Sequence, residues 1–102
     1  MEPRFYEGDA AVHADGAVYP CWANLRCWAD QVRARTFGGT TVHDGQQQWT
    51  GRLRFRGADA ETVLFASSVR LVVDGAEGRF LIDTRDPAGG TLEIRGTGPA
   101  PF

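Results

Sequence analysis

The chain has 102 residues, a formal net charge of −2 and a pI near 5.6, so it suits one domain (residues 1–102) and has no general attraction to phosphate backbones. Its 42% hydrophobic and 11% aromatic content excludes a disordered chain. No apolar run approaches the roughly 18 residues of a membrane span, and the charged N-terminus lacks the apolar stretch of a secretion signal. We therefore predict a cytoplasmic protein that binds neither nucleic acid nor membranes.

The cysteines, Cys21 and Cys27, bear on both compartment and fold. On one extended strand their Cα atoms would lie roughly 20 Å apart, which is too far for a disulfide. In a helix they would lie about 9 Å apart along the axis and on different faces. We therefore expect two reduced thiols, with Cys27 acting as a small buried hydrophobic residue.

Turn signals at short intervals divide the chain into segments of strand length. They contain residues that tolerate positive φ or preset a turn. The strongest are Asp15-Gly16, Asp44-Gly45, Asp74-Gly75 and residues 86–90, and Gly38-Gly39 is weaker. This spacing predicts an all-β fold, either a small antiparallel β barrel or a strongly bent sheet, with about six strands.

Alternating side chains predict which face of each strand is buried. After Gln47, the odd positions carry Trp49, Leu53 and Phe55, whereas the even positions are polar or arginine. The same alternation in later segments completes the predicted core, which consists of Trp49, Leu53, Phe55, Val63, Phe65, Leu71, Phe80, Ile82, Leu92 and Ile94.

Residues 20–35 carry two conflicting patterns. An apolar stripe from Cys21 to Val32 recurs at helical spacing, and Pro20 would suit a first helical position. Over residues 21–27, however, apolar and polar residues alternate as they would in a strand. We predict a strand through about Cys27, followed by a short helix or loop near residues 29–36.

Short motifs stand out in the middle of the chain and at its C-terminal end. In His43–Leu53 an Asp-Gly pair precedes Trp49-Thr50-Gly51-Arg52, and residues 95–102 read Arg-Gly-Thr-Gly-Pro-Ala-Pro-Phe. These motifs, with an opening hairpin at Tyr6–Val12, resemble a small domain family of unknown function that is common in actinobacteria. The resemblance implies a β-rich fold that occurs alone or joined to the C-terminus of proteins similar to flavin-containing monooxygenases. It implies no catalytic residues, and the chain departs from the family pattern between Arg26 and Val42.

Aromatic and arginine residues in the first half of the chain make a candidate binding site. A tryptophan side chain buries about 150–250 Å², so three of them in a small domain belong to the core or to a ligand cavity. If residues 20–28 are extended, Trp22, Arg26 and Trp28 share one strand face. The predicted ligand-binding residues are Trp22, Arg26, Trp28, His43, Trp49 and Arg52.

Trp49 and Arg52 lie on opposite faces of a regular strand. Both can reach one pocket only if a bulge intervenes, and Gly51 is the residue that would permit it. The alternative for Arg52, which alternates with Arg54 and Arg56, is a solvated face paired with carboxylates on a neighbouring strand.

The sequence contains few residues or motifs that would bind a metal or a cofactor. His13, His43, Cys21 and Cys27 are the only nitrogen or sulfur ligands and lack metal-site spacing, so we predict no metal site. The chain has no phosphate loop, dinucleotide fingerprint or nucleophile elbow, so we predict no cofactor. Asp44 beside His43 is more simply a turn residue than a catalytic partner.

Three functions fit these features. We favour a barrel that binds a small hydrophobic or aromatic molecule, for example as a cofactor-independent isomerase or cyclase of bacterial specialised metabolism. The alternative is a non-catalytic interaction or oligomerisation module, which would partner a flavin-containing monooxygenase or serve as a purely structural unit. A closed pocket containing tryptophan with arginine or histidine would favour the first, and a flat apolar patch or free strand edges would favour the others. Short unprotected edges also predict a homodimer.

Overall fold

The computed structural model describes residues 3–36, 39–84 and 89–102, with side chains outside the stretch 30–46. In these residues six antiparallel strands form a closed barrel with one short helix, which confirms the predicted all-β barrel. The elements are β1 (Arg4–Ala14), β2 (Ala17–Thr36), β3 (Gly39–Arg54), α1 (Asp59–Leu64), β4 (Val69–Val73), β5 (Ala76–Ile82) and β6 (Thr91–Gly96).

The barrel consists of two three-stranded meanders joined through α1. The strand order is β1-β2-β3-β6-β5-β4, and pairing of β1 with β4 closes the ring. Each meander opens with a predicted Asp-Gly turn: Asp15 and Asp74 have φ values of 49° and 48°, and the following glycines also have positive φ. Left-handed backbone at both central positions suits the tight turns that match strand twist.

The segment near residues 29–36 is strand, so the predicted helix there is wrong. β2 runs unbroken to Thr36 and pairs with β3 along this length, which supplies the backbone hydrogen bonds that a helix would otherwise provide. Asp44-Gly45 does not form a turn either, because it lies in β3 where the register shifts between Ala29 and Gln31. The last pair between β2 and β3 is Thr36–Gly39, and Phe37 and Gly38 lie outside the described residues.

The helix lies instead at Asp59–Leu64, inside a stretch whose alternation resembles a strand. Its buried residues, Ala60 and Val63, are three positions apart and therefore share one helical face. Val63 is buried as predicted, but Phe65 at the end of the helix is 77% exposed, so its predicted place in the core is wrong.

Apolar side chains fill the barrel. Trp49, Leu25, Leu53 and Leu71 are among the largest side chains below 2% exposure. Both cysteines are buried and free, as expected. Of the remaining predicted core, Ile82 is partly buried, and the fully buried members are Phe55, Phe80, Leu92 and Ile94.

The C-terminal tail and Trp49 pack together at the end of the barrel away from α1. Phe102 meets the Trp49 ring edge-on with centroids 6.4 Å apart, and Pro101 is buried. A Cβ on Gly78 would lie 2.7 Å from Cδ of Pro101, so only glycine lets the tail approach β5 this closely.

β2 and β3 extend beyond the barrel as a two-stranded ribbon. Pairing of β1 with β2 ends at Arg4–Cys27 and pairing of β6 with β3 ends at Thr50–Arg95, whereas β2 and β3 remain paired as far as Thr36–Gly39. The ribbon explains the elongated dimensions of 58 × 26 × 23 Å. Within the described residues, no helix has the length and apolar character needed to cross a bilayer.

Candidate functional site

Aromatic and arginine side chains lie together on the outer wall formed by β1, β2 and β3. Since Cys21, Ala23, Leu25 and Cys27 point into the barrel, the residues between them point outward. Strand register places Phe5 and Thr50 on either side of Arg26, and Arg54 beside Trp22. We call this surface the aromatic–arginine face; its members are Phe5, Trp22, Arg26, Trp28, Arg52 and Arg54.

Arg26 is the centre of this face. Its Cζ atom lies 5.2 Å from the centroid of the Trp28 ring, and its Nε donates a hydrogen bond to Thr50 Oγ1 at 3.3 Å. A guanidinium over an exposed indole contributes about 0.5–1 kcal/mol. Among the described residues, no carboxylate forms an ion pair with Arg26, so its charge remains available to a partner.

Arg52 is held differently. Its Nη2 lies 3.1 Å from Oε1 of Glu93, its cross-strand neighbour on β6, and Arg95 pairs with Asp83 at 3.7 Å. Exposed pairs of this kind contribute about 0–1 kcal/mol to stability. They neutralise the β6 side of the face, whereas Arg26 and Arg54 have no carboxylate partner in the described structure.

A shallow groove of about 450 Å³ crosses the face between Arg26 and Glu93, and it is open to solvent. Gly51 lies in it, opposite Leu25 on β2. A Cβ at Gly51 would overlap the Asn24 carbonyl oxygen and the Leu25 side chain, so glycine permits the close approach of β2 and β3 here.

Trp49 does not join the other candidate residues. The β3 register is continuous on both sides of Gly51, so the bulge that would bring Trp49 and Arg52 together is absent from this stretch. Trp49 is 1% exposed and its Nε1 donates to the Gly98 carbonyl oxygen at 2.9 Å. His43 lies in β3, where its backbone pairs with Val32 of β2. The His43 side chain lies outside the described residues.

Phe5 belongs to the site although the sequence did not single it out. It is 75% exposed, and with Pro3, Arg26 and Trp28 it lines an apolar slot of about 250 Å³. Phe5 and Arg26 are more than twenty residues apart in sequence, and they become neighbours only because β1 and β2 form a hairpin. The signal that could have found it is the register fixed by the Asp15-Gly16 turn.

Two side chains outside the face, Cys21 and Tyr6, have shifted pKa values. Burial raises the pKa of the Cys21 thiol to about 12, and burial with nearby Asp74 and Asp9 raises that of Tyr6. These groups therefore stay protonated near neutral pH. The described side chains contain no group of three or more potential metal ligands. No protein-family model, curated protein or solved structure matches this chain.

Proposed function

We propose that this chain is a non-catalytic binding module that docks on a protein partner through the aromatic–arginine face. The observation that carries the proposal is the outward projection of Trp22 and Trp28 beside two arginines, Arg26 and Arg54, that lack carboxylate partners among the described residues.

The composition of the face is that of an interface centre. Tryptophan and arginine are the residues most enriched among those that dominate protein–protein binding energy. Trp22 is 42% exposed and Phe5 is 75% exposed, so both rings would lose water-exposed apolar area on docking. The slot between Phe5 and Trp28 has room for one aromatic or aliphatic side chain of the partner.

The filled interior supports docking over binding of a metabolite inside the barrel. Sites for small molecules bury roughly 70–90% of the ligand surface, which requires a cleft or cavity. Here the space that a barrel ligand would occupy holds Trp49, Leu25 and Leu53, each 1% exposed or less. The groove over Gly51 is open and would cover only one side of a ligand.

The family resemblance suggests the class of partner. Domains of the family that this chain resembles occur joined to proteins similar to flavin-containing monooxygenases, so we infer that the partner is such a protein in the cytoplasm. Arg26 and Arg54 would face carboxylates on the partner surface, because guanidinium groups pair bidentately with carboxylates.

Site-specific photo-crosslinking in the native host tests this proposal. A photoreactive amino acid at Asn24, which lies in the groove, should capture one protein, and the same group at exposed Thr62 on α1 should not. Trp28→Ala should abolish the adduct. Phe65→Ala, which removes an exposed ring at the end of α1, should leave it unchanged.

The outcomes test separately whether the aromatic–arginine face is the docking surface and whether the partner is a flavoprotein. A flavoprotein adduct at Asn24 that depends on Trp28 supports both. A Trp28-dependent adduct without flavin keeps the face and removes the monooxygenase assignment. Equal capture from Asn24 and Thr62, or an adduct indifferent to Trp28→Ala, contradicts the proposal.

A further inference from the structure

A second surface lies on another part of the barrel, where β5 extends beyond the end of its pairing with β4. Pairing of β4 with β5 runs from Val73–Ala76 to Arg70–Arg79 and ends there, although β5 continues to Ile82. Val69, the first residue of β4, lies opposite Phe80 in the same register, so in the described structure only Leu81 and Ile82 have β6 on one side and no strand on the other. We call this gap the β5 notch; it is bounded by Phe80–Ile82 and by residues 64–70.

The backbone of the notch has hydrogen-bonding groups that point into the gap. Thr97 N donates to Arg79 O at 3.0 Å and Asp83 N donates to Glu93 O at 2.8 Å, so odd residues of β5 direct their backbone groups toward β6. Alternation then directs the N–H and C=O groups of Phe80 toward Val69 of β4 and those of Ile82 into the notch. Such an open edge is a ready template for another strand.

Contacts with the β1–β2 turn explain why the chain before β4 does not fill the notch. The Asp15 carboxylate accepts hydrogen bonds from Ser67 N at 3.0 Å and Ser68 N at 2.9 Å. Asp15 N in turn donates to Ser68 O at 3.1 Å. These three bonds hold residues 67–68 beside the turn and leave the edge of β5 open.

The notch has both apolar and polar side chains in its lining, and it is cationic at its closed end. It forms a groove of about 760 Å³ whose lining includes Leu64, Ala66 and Ile82. Arg70 and Arg79 are direct cross-strand neighbours on the outer face. Like charges in such positions repel each other. Glu77 binds Arg70 at 2.9 Å, but Arg79 has no carboxylate partner among the described residues.

We propose that the β5 notch binds the extended C-terminal tail of a protein partner. The tail pairs antiparallel with Leu81–Ile82 as an added strand, places an apolar side chain against Leu64 and Ala66, and sets its terminal carboxylate against Arg70 and Arg79. The mode is β-strand addition combined with carboxylate recognition by arginine. It is independent of the aromatic–arginine face.

Chain direction and charge together select a C-terminus. β4 already occupies the line of the added strand from Val69 onward, so an incoming segment must end or turn away there. A segment antiparallel to β5 arrives with its C-terminal end at the arginines, whereas a parallel segment would arrive with its N-terminal end. A carboxylate is attracted by two guanidinium groups and an ammonium group is repelled.

Selection from a peptide library displayed with free C-termini provides the probe. Selected peptides, synthesised as free acids, should bind the full-length protein in a fluorescence-polarisation titration. The same peptides with amidated C-termini should bind about tenfold more weakly or worse, since a hydrogen bond to a charged group contributes about 1.5–3 kcal/mol. Equal binding of acid and amide, or failure of the library to enrich, would overturn the proposal.

Three substitutions locate the carboxylate. Arg79→Gln should weaken binding of the free acid about tenfold and have little effect on the amide, because only the acid has a charge to lose. Glu77→Gln should tighten binding of the acid, since it removes the carboxylate that competes for Arg70. Exposed Arg56→Gln is the matched control and should change neither. Equal loss from Arg56→Gln and Arg79→Gln would reduce the effect to net charge and contradict the site.

Amide hydrogen exchange tests strand addition without any substitution. Bound peptide should slow exchange at Ile82, whose N–H group faces the notch, by at least about tenfold. Leu81 and Asp83 amides, which face β6, are the internal control and should change much less. Unchanged exchange at Ile82 in the saturated complex would exclude β-strand addition here.

Discussion

The indole N–H of Trp49 donates to the carbonyl oxygen of Gly98 at 2.9 Å and joins β3 to the C-terminal tail. A buried indole needs such a partner, because an unsatisfied N–H in the core costs about 1–3 kcal/mol. Gly96 lies so close to the ring that a Cβ there would overlap it. Trp49, Gly96 and Gly98 all belong to the motifs that carry the family resemblance, and here they pack the barrel end.

Replacing Gly96 with alanine should therefore destabilise the fold. The added methyl overlaps the Trp49 ring, and overpacking of this kind costs about 1–3 kcal/mol or more. Gly98→Ala is the matched control, because nothing lies within 4 Å of a Cβ at that position. Urea denaturation measures the difference. Equal unfolding free energies for the two variants would show that the Trp49 ring does not pack against Gly96.

The two Asp-Gly turns provide a second comparison. Asp15 and Asp74 share a left-handed backbone, so substitution by alanine should cost the same conformational free energy at each position. Only Asp15 accepts hydrogen bonds from Ser67 N and Ser68 N. Asp15→Ala should lower the unfolding free energy by about 1–3 kcal/mol more than Asp74→Ala. If denaturation shows the two variants to be equally stable, the carboxylate does not hold the chain before β4.

The turns and strand faces followed from the sequence because their causes are local. Asp-Gly pairs and alternating apolar residues act within a few positions; two of the three Asp-Gly pairs form hairpin turns, and the alternation identified most of the core. The helix was misplaced because residues 29–36 become strand only through pairing with β3. Residues 59–64 become helix because Ala60 and Val63 together pack into the core.

The site was less predictable because its geometry depends on distant pairings. Sequence alternation placed Trp22, Arg26 and Trp28 on one face correctly, whereas Trp49 was joined to them only through an assumed bulge at Gly51. The β5 notch had no local signal, since it depends on contacts between Asp15 and Ser67 across 52 positions.

Two phenylalanines distinguish core from surface. Phe55 is 6% exposed and Phe65 is 77% exposed. Phe55→Ala should lower the unfolding free energy by about 3–5 kcal/mol, whereas Phe65→Ala should change it by less than about 0.5 kcal/mol. Chemical denaturation of both variants measures this contrast, and a larger loss from Phe65→Ala would invalidate the position of α1.

The Cys21 thiol should make stability fall at alkaline pH. Burial raises its pKa to about 12 in the folded protein, above the ordinary thiol value. The unfolded chain therefore releases this proton at lower pH, so stability present below about pH 9 is lost as the pH rises toward 12. The unfolding free energy of the wild type should fall more steeply over this range than that of Cys21→Ala. Parallel pH curves would mean that the thiol is not desolvated.

The indole N–H signals of the three tryptophans test the central claim most directly, because they report on both the face and the interior. In a titration with the protein captured at Asn24, followed by ¹H–¹⁵N NMR, the signals of Trp22 and Trp28 should shift on binding. The Trp49 signal should stay in place, since its N–H remains bonded to Gly98 inside the barrel. A shift of Trp49 alone, with Trp22 and Trp28 unchanged, would contradict docking on the aromatic–arginine face and place the binding site in the barrel interior.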